Sequence, residues 1–67
     1  MEIDDIRAMT DLELRDELDS TQRELMNLRF RVATMQLANT SGIRAARKRI
    51  ARINTVLRER ELARSAI

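Results

Sequence analysis

The chain has 67 residues with no cysteine and no histidine, so disulfide bonds and the usual zinc or iron sites are excluded. A chain this short forms at most one domain, which we place over residues 1–67, and its small core favours dependence on partners. The apolar runs are too short for a membrane-spanning helix, and the acidic N-terminus is unlike a signal peptide.

The net charge of +2 is divided very unevenly along the chain. Residues 1–24 hold nine acids and three bases, whereas residues 25–67 hold ten bases and two acids. Twelve of the thirteen cations are arginine, whose planar fork suits bidentate phosphate contacts. This asymmetry favours nucleic acid as the partner.

A short helix and a helix cap are predicted at the N-terminus. Apolar residues recur every third position within residues 1–9, which predicts a short helical turn: Ile3, Ile6 and Met9. Thr10 and Glu13 then form a capping box that begins a long helix. We also expect two ion pairs on the surface of that helix, Asp11 with Arg15 and Asp19 with Arg23.

Two apolar seams with heptad spacing follow, one on each side of a turn. The first predicts a long helix over residues 11–37 and consists of Leu14, Leu18, Thr21, Leu25, Leu28, Val32 and Met35. Residues 38–42 contain the single glycine and predict the turn. The second seam predicts a long basic helix over residues 43–63 and consists of Ile43, Ala46, Ile50, Ile53 and Leu57.

Together the seams predict an all-α fold, a long antiparallel two-helix hairpin that is coiled-coil-like, with a short N-terminal helical turn. Folding at residues 38–42 keeps the seams in register, with representative pairs Met35 with Ile43, Leu28 with Ile50 and Thr21 with Leu57. In that register Leu18 faces Arg60 and Leu14 faces Arg64. The apolar cover for this end is expected from Ile3, Ile6 and Leu62.

Cations dominate the side of the second long helix that lies away from its seam. No acid occurs between Leu25 and Arg58, and the candidate RNA-binding residues are Arg44, Arg47, Lys48, Arg49, Arg52 and Arg58, with Arg29 and Arg31 as secondary contacts. Phe30 is the only aromatic residue, so base stacking is not the main mode of recognition. Backbone and shape recognition of structured RNA fits better.

A second apolar line runs along the first long helix on the face opposite its seam. It consists of Met26, Phe30, Ala33 and Leu37, with spacing 4, 3, 4. Such a stripe is typical of a protein-docking surface, and self-association would explain it equally well.

Three segments of the chain resemble the family of bacterial large-subunit ribosomal protein number twenty-nine: residues 12–18, 24–31 and 39–53. The resemblance implies a structural constituent of the large ribosomal subunit, a ribonucleoprotein component that acts in translation. It also implies binding to ribosomal RNA near the exit of the polypeptide tunnel, beside ribosomal protein number twenty-three and close to where chaperones and targeting factors dock. The implied localisation is cytoplasmic and ribosome-associated.

Two other interpretations stay open at this point. One is a free-standing coiled-coil protein-interaction module, and the other is a small basic nucleic-acid-binding helical dimer. An enzyme is disfavoured because the chain lacks histidine, cysteine and a glycine-rich phosphate loop. We therefore expect no cofactor, no metal, no membrane and no small-molecule substrate.

Overall fold

Three helices make up the structure, a computed structural model that describes residues 3–36 and 39–65. They are α1 (Ile3–Arg7), α2 (Asp11–Ala33) and α3 (Ser41–Ser65), and both α1 and α2 pack against α3. Within the described ranges no strand occurs, so the predicted all-α hairpin with a short N-terminal helix is confirmed. None of the helices in these ranges is long and apolar enough to cross a membrane.

The start of α2 follows the predicted capping box. Thr10 has extended backbone angles, and its Oγ1 accepts a hydrogen bond from the Glu13 N–H at 3.2 Å. The Thr10 hydroxyl donates in turn to Glu13 Oε1 at 3.1 Å. One of the unpaired N–H groups of the first helical turn is thereby satisfied by a local side chain.

The end of α2 comes earlier than the sequence predicts. The Met35 N–H donates to the Val32 carbonyl at 3.0 Å, and the Gln36 N–H donates to the Arg31 carbonyl at 2.9 Å. These two bonds define a Schellman motif, and Met35 takes the left-handed position with φ of 61°. Because the helix stops at Ala33 and Met35 is 93 % exposed, the predicted pairing of Met35 with Ile43 is wrong.

The early end of α2 shifts the hairpin by about one heptad. Arg60 was expected beside Leu18 but bonds to Asp11, seven residues nearer the N-terminus. Likewise Leu28 lies against Gly42 in the first turn of α3 and not against Ile50, its predicted partner. The approach is close: a β-carbon at position 42 would lie only 3.3 Å from Leu28 Cδ1. The predicted register is therefore wrong. Because both seams repeat every seven residues, apolar residues of α2 still pack against apolar residues of α3 after a shift of one heptad.

The core lies where α1 closes over the hairpin. Its buried residues are Ile6, Leu14, Ile53 and Val56, with Ile3, Met9, Leu18 and Leu57 packed against them. The expected cover by Ile3 and Ile6 is confirmed, whereas the same expectation for Leu62 is wrong because that side chain is 58 % exposed. In the observed register Leu14 already meets apolar residues of α3, so no cover from Leu62 is needed.

The one polar residue of the first seam is satisfied inside its own helix. Thr21 is 1 % exposed, and its hydroxyl donates to the Glu17 carbonyl at 2.7 Å. A buried hydroxyl with a hydrogen-bond partner avoids most of the cost of desolvation. Thr21 therefore belongs to the core as predicted.

Candidate nucleic-acid interface

The side of α3 away from α2 is basic and open to solvent. α3 buries Ala46, Ile53 and Val56 toward the rest of the molecule. Five of the six predicted cations of this helix are exposed: Arg44, Arg47, Lys48, Arg52 and Arg58. At 1.5 Å per residue they extend over about 21 Å of helix.

This basic side is not neutralised by neighbouring carboxylates. No acid lies within residues 41–58. Among the described residues, none of the salt bridges involves Arg44, Arg47, Lys48 or Arg58. A surface with exposed cations of one sign produces a positive potential that attracts polyanions.

An open depression of about 420 Å³ lies on the N-terminal half of this side. It is lined by Thr40, Ile43, Arg44, Arg47, Lys48 and Ala51. Three of these residues are cations, and the small side chain of Ala51 leaves space between longer neighbours. The surface is therefore concave as well as basic.

Arg49 differs from the other predicted cations because it faces α2. Its Nη1 lies 3.6 Å from Glu24 Oε2 and 3.9 Å from Glu17 Oε1, and its Nε is buried without a hydrogen-bond partner in the described part of the chain. Arg49 follows buried Ala46 by three positions and precedes buried Ile53 by four, which places it beside the seam. Its charge stabilises the contact between the helices and is turned away from the exposed side.

Arg29 and Arg31 are exposed near the end of α2. Two residues apart on a helix, they project in directions about 200° apart and cannot contact one flat surface together. Neither extends the basic side of α3, which points away from α2.

The predicted docking stripe is exposed where the structure describes it. Met26 is 73 % exposed and Phe30 is 64 % exposed, and Ala33 is also open to solvent. Leu37 lies outside the described residues. We refer to Met26, Phe30 and Ala33 as the apolar stripe, and the hairpin itself does not bury it.

Sequence reasoning missed a charged cluster that fastens the N-terminal part to α3. Arg60 donates from Nη1 to Asp11 Oδ1 at 2.7 Å and from Nη2 to the carbonyls of Met9 at 2.7 Å and Arg7 at 3.0 Å. Arg64 bonds to the other Asp11 oxygen. Hydrogen bonds from Arg60 and then from Arg64 lower the pKa of the Asp11 carboxyl.

Arg15 was expected as the partner of Asp11, and that expectation is wrong because Asp11 pairs across the hairpin. The predicted pair of Arg23 with Asp19 is confirmed, with the two atoms 3.0 Å apart. One feature of the sequence could have indicated this pairing. Arg60 and Arg64 lie four residues apart, on one face of α3, and the hairpin brings the end of α3 back to the acidic start of α2. Arg60 and Arg64 thus stabilise the fold through Asp11.

Comparison with known proteins identifies the family. The family described as Ribosomal L29 protein matches residues 4–60 of the chain. The chain belongs to the ribosomal L29 protein family. It is similar to the large ribosomal subunit protein uL29 of Desulforudis audaxviator, with 55 % identity over 62 residues that cover 92 % of each chain.

Two further relatives carry the same description. The large ribosomal subunit protein uL29 of Mycolicibacterium vanbaalenii is 53 % identical over 62 residues, which cover 92 % of this chain and 80 % of the relative. That of Listeria welshimeri is 51 % identical over 63 residues, which cover 94 % of this chain and all of the relative.

Membership in the ribosomal L29 family makes the chain a structural constituent of the large ribosomal subunit. Proteins of this family are structural and not enzymes. The chain is associated with the ribosome in the bacterial cytoplasm. The resemblance stated from residues 12–18, 24–31 and 39–53 is thereby confirmed.

Proposed function

We propose that the chain holds its place in the large subunit by binding ribosomal RNA through the basic side of α3. The observation that carries this proposal is a set of exposed cations without carboxylate partners in the described residues: Arg44, Arg47, Lys48 and Arg58. Ribosomal RNA is the abundant polyanion of that particle, and arginine forks bind phosphate oxygens bidentately.

Phosphate and shape contacts carry the binding in this proposal. Residues 41–65 contain no aromatic side chain, so α3 has no platform on which an unpaired base could stack. Contacts to phosphates fix position and orientation without reading sequence directly. Arg52 is exposed on the same helix and remains part of the proposal, and Arg49 is limited by its interhelical ion pairs. Arg29 and Arg31 project from α2 in different directions, so each would make a separate contact away from the basic side of α3.

The apolar stripe is proposed as the docking surface for a neighbouring protein. By family resemblance the location is near the polypeptide exit tunnel, the neighbour is ribosomal protein number twenty-three, and chaperones or targeting factors dock nearby. Support comes from the exposure of Met26 and Phe30, which are large apolar side chains that the hairpin leaves in water.

A competition assay for subunit assembly tests the RNA contacts. Tagged wild-type chain competes with the double variant Arg47→Gln/Lys48→Gln, and incorporation into large subunits is measured by sedimentation. The matched control is Arg15→Gln/Arg23→Gln, which removes the same charge from exposed positions of α2. Arg23 makes only an exposed ion pair with Asp19, so the control costs little stability.

We expect the α3 double variant to lose the competition and the control to match the wild type. Because each phosphate contact releases counterions, the α3 variant should depend less steeply on salt than the wild type, so its deficit should be largest at low salt and narrow as salt increases. Equal incorporation of both double variants would refute a specific role for this side of α3; an equal loss in both would point to net charge alone.

The stripe is tested separately with Phe30→Asp. Leu12→Asp is the control, since Leu12 is 70 % exposed on the same helix and lies eighteen residues away on the same helical face. We expect weaker retention on washed subunits for Phe30→Asp alone. Undiminished retention of that variant would remove the docking role of the apolar stripe.

A further inference from the structure

We propose that the outermost line of α3 lies across the minor groove of double-helical ribosomal RNA, with cations at both ends on the bordering phosphates and small residues at its centre. The inference rests on the proposed RNA binding and adds to it the form of RNA and the residues at the groove. We call this line the groove line: Arg44, Lys48, Ala51, Thr55 and Arg58.

The groove line is one continuous face of the helix. Its members recur at intervals of 4, 3, 4 and 3 residues, the spacing that keeps side chains on one side of an α-helix, and all five are exposed. The buried residues Ala46, Ile53 and Val56 occupy the other side. The groove line is therefore the part of α3 that a large rigid partner meets first.

The order of side chains along the groove line is cation, small residue, cation. Lys48 and Arg58 are ten residues apart, or about 15 Å along the axis, and Ala51 and Thr55 lie between them. Small side chains at the centre let the helix approach the floor of the groove closely. Long cationic side chains at the two ends can then reach the phosphates on either side of the groove. The depression of about 420 Å³ lined by Arg44, Arg47, Lys48 and Ala51 lies at the N-terminal end of the groove line and reaches its centre at Ala51.

Groove dimensions select the minor groove over the major groove of double-helical RNA. An α-helix with its side chains is about 10 to 12 Å across, whereas the minor groove of B-form DNA is only about 6 Å wide. The major groove of an RNA duplex is deep and narrow, while its minor groove is wide and shallow. Of the two RNA grooves, a helix with a small-residue centre therefore fits only the minor groove, whereas the major groove of B-form DNA, about 12 Å wide, also admits a helix and is distinguished by the DNA probe below.

Thr55 supplies a polar group suited to that groove. Its hydroxyl donates to the Ala51 carbonyl at 2.8 Å, so its proton is already used inside the helix. The oxygen retains lone pairs that accept hydrogen bonds, and the RNA minor groove displays 2′-hydroxyl groups that can donate. A 2′-hydroxyl donor is present in RNA and absent from DNA, so a contact between it and Thr55 would favour RNA.

Binding of the full-length chain to three probes tests the inference: a perfectly paired RNA hairpin, a DNA hairpin of the same sequence, and a single-stranded RNA of the same length. The decisive variant is Ala51→Leu, which adds bulk at the centre of the groove line without changing charge. Ala45→Leu is its control, because Ala45 is also exposed on α3 but lies off the groove line. Circular dichroism checks that both variants keep their helices.

We expect the wild type to prefer the RNA hairpin to both other probes. Ala51→Leu should weaken binding to the RNA hairpin by about tenfold, the loss expected when one charge-assisted contact is pulled out of reach, and Ala45→Leu should leave it unchanged. Thr55→Val should reduce the preference for RNA over DNA with little change in binding to DNA.

Equal binding of paired and single-stranded RNA, or equal effects of the two leucine variants, would overturn the inference, and so would a wild-type chain that binds no duplex. The proposed function is decided elsewhere, by incorporation of the α3 double variant into large subunits. A chain that needs Arg47 and Lys48 for incorporation but shows no duplex preference keeps the proposed function and loses the groove geometry.

Discussion

Two aliphatic residues of α3 give a matched test of the observed core. Ile53 is fully buried in the cluster with Ile6 and Leu14, whereas Leu62 is 58 % exposed. Replacement by alanine removes three carbons in either case. For Ile53→Ala the transfer cost is about 2.4 kcal/mol at about 0.8 kcal/mol per carbon, and the cavity raises the total into the range of about 2 to 5 kcal/mol.

For Leu62→Ala less than half of that transfer cost applies, which gives about 1 kcal/mol or less. The full stability of a 67-residue chain is about 3 to 10 kcal/mol at typical values per residue, so Ile53→Ala removes a large fraction of it. Urea unfolding followed by far-ultraviolet circular dichroism measures both changes. If Leu62→Ala costs as much as Ile53→Ala, the observed register of the hairpin is refuted.

Three further predictions concern the ends and the centre of the hairpin. Met35→Gly should stabilise the chain by about 0.5 to 1 kcal/mol in urea unfolding, because glycine accepts the left-handed backbone of Met35 without a side-chain clash; a destabilised variant would contradict the Schellman motif. The lowered pKa of Asp11 stabilises the fold above the unfolded-state pKa of about 3.9, and this stabilisation is lost as the pH falls below it. Asp11→Asn should therefore be less stable than the wild type near neutral pH but not in acid, as urea midpoints at both pH values would show; a difference that persists in acid would exclude the pairing with Arg60 and Arg64. Thr21→Val should change the free energy of unfolding by less than about 1 kcal/mol, since it removes the hydroxyl together with its need for a partner, and a loss above about 2 kcal/mol would contradict this account.

Local features of the fold were predictable from the sequence because their causes are local. The capping box needs only Thr10 and Glu13, three residues apart; the Glu13 N–H donates to Thr10 Oγ1 as predicted, and the Glu13 carboxylate accepts from the Thr10 hydroxyl. The two seams follow from the spacing of apolar residues, and the exposure of Met26 and Phe30 follows from their place opposite the first seam. The absence of acids along residues 41–58 was equally plain in the sequence and marks the basic side of α3.

The end of α2 was not predictable by the same means. A left-handed residue at a helix end is usually glycine, and the only glycine is Gly42, so the sequence predicts the turn near it. Met35 takes that conformation instead, although a side chain makes it costly, and Gly42 is used in the first turn of α3. The two hydrogen bonds of the Schellman motif, from the Met35 and Gln36 N–H groups, are formed in this conformation.

By itself the sequence determined three helices, two seams, a basic side on α3 and the family resemblance that the comparisons confirm. Only the tertiary structure decided the register, because two seams with the same seven-residue repeat match almost equally well when shifted by one heptad. Contacts between distant residues break that tie: Arg60 with Asp11 and Ile6 with the core of the hairpin. Ion pairs across the hairpin assign Arg49 and Arg60 to the fold, while Arg44, Lys48 and Arg58 face the solvent.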